Sequence, residues 1–154
     1  MIPFPSTGAP VLLIHPCSGG VPKCWPIDSF VRVADLLVEH GWRVAFVIGP
    51  AEQERMSPAA RSMLADRFTV LAGLSLPELL AAMSAADVFL GNDSGPSHLA
   101  AALGRPTVAL FGPTDPAVWA PRGRRVHILR GQPNQSDWSI SPESVAQAIT
   151  ASLV

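Results

Sequence analysis

Charged side chains and long apolar segments are both scarce in this sequence of 154 residues. Asp, Glu, Lys and Arg make up 15% of the residues and leave a formal net charge of −1, which argues against a surface dedicated to nucleic acid or to an anionic membrane. No apolar run approaches the roughly 20 residues of a membrane-spanning helix, and the first residues lack the charged and apolar regions of a secretory signal. The sequence therefore predicts a globular protein of the cytoplasm, and its length fits one domain.

Cysteine is scarce as well. Cys17 and Cys24 are the two cysteines, and both fall in one predicted loop. With His15 nearby a metal site is conceivable, but the sequence has neither a C-x-x-C pair nor a fourth ligand near them. Thiols of cytoplasmic proteins are normally reduced. We therefore expect two reduced thiols and no bound metal.

Three familiar short motifs are absent. The sequence contains no G-x-x-x-x-G-K-[ST] phosphate loop, no G-x-G-x-x-G dinucleotide fingerprint and no G-x-S-x-G nucleophile turn. No Ser-His-Asp set and no cluster of carboxylates stands out either. These absences argue against a P-loop protein, a serine hydrolase and a metal-dependent centre.

Short apolar segments alternate with segments of helical periodicity along the chain. The apolar segments, which predict buried strands, cover residues 11–15, 43–48, 68–71, 87–90, 106–111 and 126–129. Helices are predicted at 27–40, between 52 and 65 with a break before Pro58, at 75–85, in the segment that ends at Gly104, and from 141 to the end. This alternation predicts an α/β fold, a Rossmann-like parallel sheet of about six strands with helices on both faces. Residues 1–10, rich in Pro and Gly, are predicted to be a linker or domain boundary, and residues 11–154 one domain.

The segment 91–104 connects the fourth predicted strand to a Leu- and Ala-rich helix through a turn of Asn, Asp, Ser, Gly and Pro. Such a turn leaves backbone N–H groups at the helix N-terminus unpaired, and together with the helix dipole they favour an anion such as phosphate. Asp93 is an acceptor suited to a hydroxyl, or to capping those N–H groups, and His98 falls in the first helical turn. The segment is equally compatible with a well-capped helix that binds nothing.

Other loops should reach the same edge of the sheet, because ligands of parallel sheets gather at the carboxyl ends of the strands. Lys23 follows the first strand in a Gly- and Pro-rich loop and is suited to phosphate, although a solvated lysine is the simpler interpretation. Glu52 follows the second strand, where an acidic residue accepts bonds from ribose hydroxyls or merely favours a helix start. Leu74, after the third strand, could pack on a base or belong to the core. Together these loops describe a nucleotide diphosphate site.

A basic group near the end of the chain has two interpretations. Its members are Arg122, Arg124, Arg125 and Arg130. Most such runs are simply solvated, but this one could attract an acidic acceptor. His127, within the last strand, is predicted to be structural.

The segment 93–116 reads Asp-Ser-Gly-Pro-Ser-His-Leu-Ala-Ala-Ala-Leu-Gly-Arg-Pro-Thr-Val-Ala-Leu-Phe-Gly-Pro-Thr-Asp-Pro. This segment closely resembles the signature of the family 9 glycosyltransferases, the ADP-heptose:lipopolysaccharide heptosyltransferases. The resemblance continues in family order through residues 15–19, 23–26, 49–52 and 71–76, and covers roughly residues 11 to 130. It implies a GT-B enzyme, in which two Rossmann-like domains enclose the active site, and this chain resembles the C-terminal, donor-binding domain.

The resemblance also implies roles for individual residues. Ser18, Gly19 and Lys23 would meet the diphosphate of the donor, with Lys23 stabilising the leaving group. Glu52 would bind the ribose and Leu74 the adenine. The sugar and phosphates would be held by Asp93, Ser94, Gly95 and His98. The implied reaction transfers heptose from ADP-heptose to a lipopolysaccharide-core acceptor. It inverts the anomeric carbon and needs no metal or other cofactor. The implied location is the cytoplasm, with at most peripheral association at the inner face of the inner membrane.

Two departures from the family pattern bear on activity. Cys17 stands where relatives often have a small residue such as glycine. The N-terminal domain, which would supply the acceptor site and the general base, lies outside this sequence, so we expect donor binding without efficient transfer. Two alternatives stay open: a stand-alone nucleotide-sugar-binding module, and a GT-B transferase that uses another donor such as a UDP-sugar.

Overall fold

The computed structural model describes Phe4 and residues 7–154. Its centre is a six-stranded parallel sheet in the order β3-β2-β1-β4-β5-β6. The strands are β1 (Val11–His15), β2 (Arg43–Ile48), β3 (Thr69–Ala72), β4 (Val88–Asn92), β5 (Thr107–Phe111) and β6 (Val126–Arg130). The predicted α/β class and the number of strands are confirmed.

Seven α-helices connect and follow these strands in the described part of the chain. They are α1 (Ile27–Glu39), α2 (Pro50–Arg55), α3 (Pro58–Arg67), α4 (Leu76–Ala85), α5 (Gly95–Ala102), α6 (Pro116–Trp119) and α7 (Pro142–Ala151). The predicted break before Pro58 is confirmed, because Ser57 caps α3 by accepting a hydrogen bond from the N–H of Ala60 at 3.1 Å. None of the helices in the described residues is long and apolar enough to cross a membrane.

The core lies on both faces of the sheet. One face of the strands packs with α1, α3 and α7 through side chains such as Phe30, Leu64 and Ile149. The other face packs with α4 and α5 through side chains such as Met83 and Ala100. Strands β1, β4 and β5 are buried along their whole length, as their unbroken apolar sequences predict for a sheet covered on both sides.

Three details of the predicted elements need correction. β4 continues to Asn92, so Gly91 and Asn92 belong to the strand and not to the turn that follows it. The loop predicted after the fifth strand contains the short helix α6, whose start is capped by the Asp115 carboxylate. β3 begins one residue later than predicted and reaches Ala72, because Ala72 pairs with Ile48.

The predicted boundary segment 1–10 lies only partly within the described residues, which exclude 1–3, 5 and 6. Phe4 packs against the α4 and α5 face of the core and lies 5.4 Å beneath the guanidinium of Arg43. The N–H of Arg43 donates a hydrogen bond to the carbonyl of Pro10 at 2.9 Å. The division at residue 10 stays a prediction.

Candidate functional site

The carboxyl ends of the strands place the loops that carry the candidate residues along one edge of the sheet. Leu74 follows β3, Glu52 follows β2, Lys23 follows β1 and Asp93 follows β4. Because neighbouring strands are about 4.8 Å apart, the edge from β3 to β5 spans roughly 19 Å. The residues therefore lie in the spatial order Leu74, Glu52, Lys23, Asp93, which differs from their order in the chain.

A cavity of about 450 Å³ opens along this edge. One wall is apolar, and its side chains include those of Val47, Ile48, Leu74 and Leu79. The polar side chains in the lining are those of His15, Ser18, Glu52 and Ser94, and glycines such as Gly19 and Gly95 add backbone at the ends of β1 and β4. A ligand with a flat apolar part and a polar, anionic part matches this division of the walls.

Of the two roles that the sequence left open for Glu52, the structure shows the one at the start of α2, and the ribose contact stays a prediction. Its carboxylate Oε2 accepts a hydrogen bond from the N–H of Gly49 at 2.7 Å, which caps α2. Its other oxygen, Oε1, lies 3.6 Å from Nε2 of His15, and the residue is 2% exposed while lining the cavity. One carboxylate oxygen therefore stabilises the helix, and the other is directed to His15.

His15 was not among the residues predicted for the site. Its Nδ1 lies 2.9 Å from the carbonyl oxygen of Cys17, which can only accept, so Nδ1 carries the proton and donates. Burial lowers the pKa of His15, although the Glu52 carboxylate and the Cys17 carbonyl oppose the shift. In the neutral ring Nε2 is then an acceptor, and two acceptors, Nε2 and Glu52 Oε1, lie side by side at the cavity.

The N-terminus of α5 lies at the same cavity. Its N-cap residue Ser94 makes no capping hydrogen bond with its side chain to any described residue, whereas Ser57 and Ser141 each cap their helices. The cavity is lined by Ser94 and Gly95 at this helix end. The positive end of the helix dipole is therefore directed at the cavity.

Lys23 and Asp93 form an ion pair beside the cavity. Lys23 Nζ lies 3.1 Å from Asp93 Oδ2, and the same oxygen accepts a 2.8 Å hydrogen bond from Thr114 Oγ1. The Asp93 side chain is 7% exposed and that of Lys23 is 37% exposed. Trp119 lies next to the pair, with its ring centroid 5.9 Å from Lys23 Nζ.

Three further bonds hold the loop after β1 in place. Arg55 on α2 donates one guanidinium N–H to the carbonyl of Ser18 and another to that of Gly19, both at 2.7 Å. The Ser18 hydroxyl donates to the carbonyl of Asp93 at 2.8 Å. The loop that lines the cavity is thus fixed from α2 on one side and from the end of β4 on the other.

The end of this loop is also fastened to β4. Asn92 Oδ1 accepts a 3.0 Å hydrogen bond from the N–H of Trp25, and Trp25 Nε1 donates to the carbonyl of Asp137 at 3.0 Å. Asn92 is fully buried, and its Nδ2 has no hydrogen-bond partner among the described residues. The amide of Asn92 therefore contributes to the site by anchoring the backbone of Trp25.

The prediction of two separate reduced thiols is wrong for this structure. Cys17 and Cys24 are paired as a disulfide, with their Cα atoms 4.9 Å apart. A single 3₁₀ turn, Val21–Lys23, folds the loop back on itself and brings Cys24 next to Cys17. The sequence separation alone could not show this turn. Within the described residues, no group of three His, Cys, Asp or Glu side chains is placed to hold a metal ion.

The structure brings most of the predicted residues together. Ser18, Gly19, Glu52, Leu74, Ser94 and Gly95 line the cavity. Lys23 and Asp93 are not among its lining residues, but the Ser18 hydroxyl donates to the Asp93 carbonyl and Asp93 pairs with Lys23. His98 is exposed on the first turn of α5 and is not among the lining residues. Of the residues that were missed, His15 could have been noticed as the polar end of an otherwise apolar strand.

Three of the four arginines predicted as one basic group are divided between opposite edges of the sheet. Arg124 and Arg125 directly precede β6, at the amino edge, where Arg125 donates to the carbonyl of Ser152 at 2.9 Å. Arg130 ends β6 at the carboxyl edge and lies 3.5 Å from the Asp115 carboxylate. They do not form one surface for an acidic acceptor.

The chain is similar to known proteins both in sequence and in structure. The model of the family described as glycosyltransferase family 9 (heptosyltransferase) matches residues 3–148. Lipopolysaccharide heptosyltransferase 3 of Escherichia coli (strain K12) is 37% identical over 113 residues, which are 71% of this chain and 33% of that protein.

Two solved structures show the same fold. The glycosyl transferase family 9 protein from Veillonella parvula superposes with a TM-score of 0.84 at 25% identity, over 97% of this chain and 47% of that one. Escherichia coli heptosyltransferase WaaC with ADP superposes with a TM-score of 0.82 at 27% identity, over 97% of this chain and 46% of that one. The chain thus spans about a third of the curated relative named above and about half of each of these solved structures.

Proposed function

Since this chain belongs to glycosyltransferase family 9, we propose that it is the donor-binding half of a heptosyltransferase that takes ADP-heptose as its donor. The acceptor is then a lipopolysaccharide-core sugar, and the transfer inverts the anomeric carbon without a metal. The donor reaches such an enzyme from the cytoplasm. The acceptor site and the general base belong to the other half of the enzyme.

The single observation that carries this proposal is the order of the residues along the sheet edge. The apolar wall at Leu74 suits an adenine, and the neighbouring acceptors Glu52 Oε1 and His15 Nε2 suit the two hydroxyls of a ribose. Next come the Ser18–Gly19 backbone and the N-terminus of α5, which suit a diphosphate. The heptose would then lie towards the Lys23–Asp93 pair.

Lys23 can serve the leaving group while it remains paired with Asp93. Its ammonium group has three N–H donors, and one of them is directed at Asp93 Oδ2. The remaining donors can reach phosphate oxygens, whose negative charge grows as the bond to the sugar breaks. Asp93, held by Thr114 and Lys23, supplies an acceptor for a sugar hydroxyl. Relatives solved with ADP and with ADP-2-deoxy-2-fluoro heptose support this choice of ligand.

Calorimetric titration of the chain with ADP, UDP and GDP tests the proposal. We expect selective binding of ADP, and we expect Lys23→Ala to weaken it roughly tenfold or more, since a hydrogen bond from a charged donor contributes about 1.5–3 kcal/mol. Arg61→Ala, which removes one positive charge from α3, is the matched control and should leave the affinity unchanged. Incubation with ADP-heptose and an acceptor should give little or no transfer by this chain alone.

Other outcomes would redirect the proposal. A preference for UDP would leave the assignment of the fold and the site unchanged, but it would show that the donor is a UDP-sugar and not ADP-heptose. Binding of ADP that is indifferent to Lys23 would contradict the assignment of the diphosphate to this loop. Rapid transfer by the chain alone would contradict the assignment of the general base to the other half.

A further inference from the structure

We propose that Cys17 and Cys24 form a reversible thiol–disulfide modification site that reacts with low-molecular-weight disulfides such as glutathione disulfide. We infer further that its oxidation state sets how tightly the neighbouring cavity holds a nucleoside diphosphate. The first statement stands on the geometry of the two cysteines, and the second rests also on the proposed function.

The two cysteines stand at the two ends of the loop that serves the site. Cys17 ends the extended chain after β1, and Cys24 directly follows the 3₁₀ turn that carries Lys23. Between them lie Ser18 and Gly19, which line the cavity. A bond between the two sulfur atoms therefore closes a small ring around the residues assigned to the diphosphate.

Both cysteines are reachable by a small reagent, because each is partly exposed at the carboxyl edge. The guanidinium of Arg55 lies 3.9 Å from Cys17 Sγ. A cation beside a sulfur atom stabilises the thiolate, which is the form that attacks disulfides. Inert structural cysteines are instead buried in apolar surroundings. Moreover, disulfides in reducing compartments, such as the one expected for this chain, are usually catalytic or redox-sensing.

The exchange proceeds in two balanced steps. The Cys17 thiolate attacks one sulfur atom of glutathione disulfide, which forms a mixed disulfide and releases one glutathione thiolate. The Cys24 thiolate then attacks the Cys17 sulfur atom, which closes the internal disulfide and releases the second glutathione. Two protein thiols are oxidised and one glutathione disulfide is reduced to two thiols.

The link to ligand binding comes through Ser18. The N–H of Ser18 donates to Cys24 Sγ at 3.2 Å, so the bonded pair holds the backbone at the start of the loop. On reduction the two sulfur atoms separate to a non-bonded distance, and the ring around Ser18 and Lys23 opens. A loop that is less well ordered must lose more conformational freedom when it binds a ligand. The disulfide form should therefore bind ADP more tightly than the dithiol form, by roughly threefold to tenfold.

The experiment equilibrates the whole chain in glutathione buffers of graded ratio. Free thiols are trapped by alkylation and counted by mass spectrometry, and ADP affinity is measured by calorimetry in the fully oxidised and fully reduced samples. Cys17→Ser and Cys24→Ser are the matched variants, because neither can close the internal disulfide. In the native chain we expect an internal disulfide to form at intermediate glutathione ratios, with the change in ADP affinity given above. In the variants we expect no internal disulfide and no such difference in ADP affinity between the oxidised and reduced samples.

Each outcome decides one part of the proposal. Failure to form the internal disulfide at any glutathione ratio would overturn the modification site. Equal ADP affinity of the oxidised and reduced chains would overturn its influence on the cavity. If neither form binds ADP while the disulfide still forms reversibly, the proposed function fails, the link to the cavity fails with it and the modification site stands.

Discussion

The polar side chains at the cavity mostly have partners within the protein, so a ligand must share them. Asp93 Oδ2 accepts from both Lys23 and Thr114, and Glu52 Oε2 accepts from Gly49. Such bonds fix each side chain in one orientation before a ligand arrives, which lowers the cost of ordering on binding. Thr114, which the sequence did not single out, contributes in this way because its hydroxyl orients Asp93.

His15 should make the stability of the protein depend on pH. Burial lowers its pKa in the folded state, whereas in the unfolded chain it titrates near 6.5. As the pH falls below about 6.5, the unfolded chain takes up a proton that the folded imidazole resists, so the free energy of unfolding decreases. The decrease continues until the pH reaches the lower pKa of the folded state.

Urea unfolding at pH 7.5 and pH 5.5 measures this dependence. We expect His15→Asn to lose less stability between the two pH values than the native chain. His127→Asn is the matched control, since His127 is exposed on the edge strand β6, and it should retain the native dependence. An unchanged dependence in His15→Asn would show that another group is responsible.

Among the elements, α2 acts on the site from a distance through Arg55. The two 2.7 Å bonds from its guanidinium to the carbonyls of Ser18 and Gly19 hold the loop of β1 against the loop of β2. We expect Arg55→Ala to weaken ADP binding roughly fivefold to tenfold, because two charge-assisted bonds that order the loop are lost from an exposed position.

Arg55→Lys separates the positioning effect from the charge. Lysine keeps the positive charge but lacks the planar fork that reaches both carbonyls. If Arg55 acts by positioning the loop, both variants should lose affinity to a similar degree in calorimetric titration. Full affinity in Arg55→Lys, with loss only in Arg55→Ala, would indicate that Arg55 attracts the diphosphate by its charge.

The elements themselves were largely predictable, and the contacts between them were not. Periodicity and turn residues predicted all six strands and the break before Pro58, because these signals are local. Strand ends and glycine-rich loops also predicted which residues gather at the carboxyl edge. The contact of Arg55 with Ser18 depends on how two loops meet in space, and the pairing of Cys24 with Cys17 depends on a 3₁₀ turn inside one loop, and no local pattern indicated either. The strand order that places Leu74 before Glu52 is the usual order of a Rossmann-like sheet, so it follows from the predicted fold class and not from a local pattern.

At the scale of the whole molecule, one sheet supports the core and the site together. The two apolar clusters lie on opposite faces of the same strands, with Ile14 on one side of β1 and Leu13 on the other. Loss of the sheet therefore removes the packing of both clusters at once. The described residues should therefore unfold in a single cooperative transition, although the chain spans about half the length of the solved structures it resembles.

Because the cavity is formed by the ends of these same strands, a ligand bound there should stabilise the entire transition. At an ADP concentration one hundred times its Kd, the linkage relation gives about 2.7 kcal/mol. For a chain of this size that raises Tm by roughly 5–10 °C.

Thermal unfolding followed by far-ultraviolet circular dichroism and by tryptophan fluorescence measures this, and both signals should shift together, since Trp25 and Trp138 are buried in the core. Lys23→Ala at the same ADP concentration should show a smaller shift. Two separate transitions, or a shift in only one signal, would mean that the loops at the carboxyl edge unfold independently of the sheet.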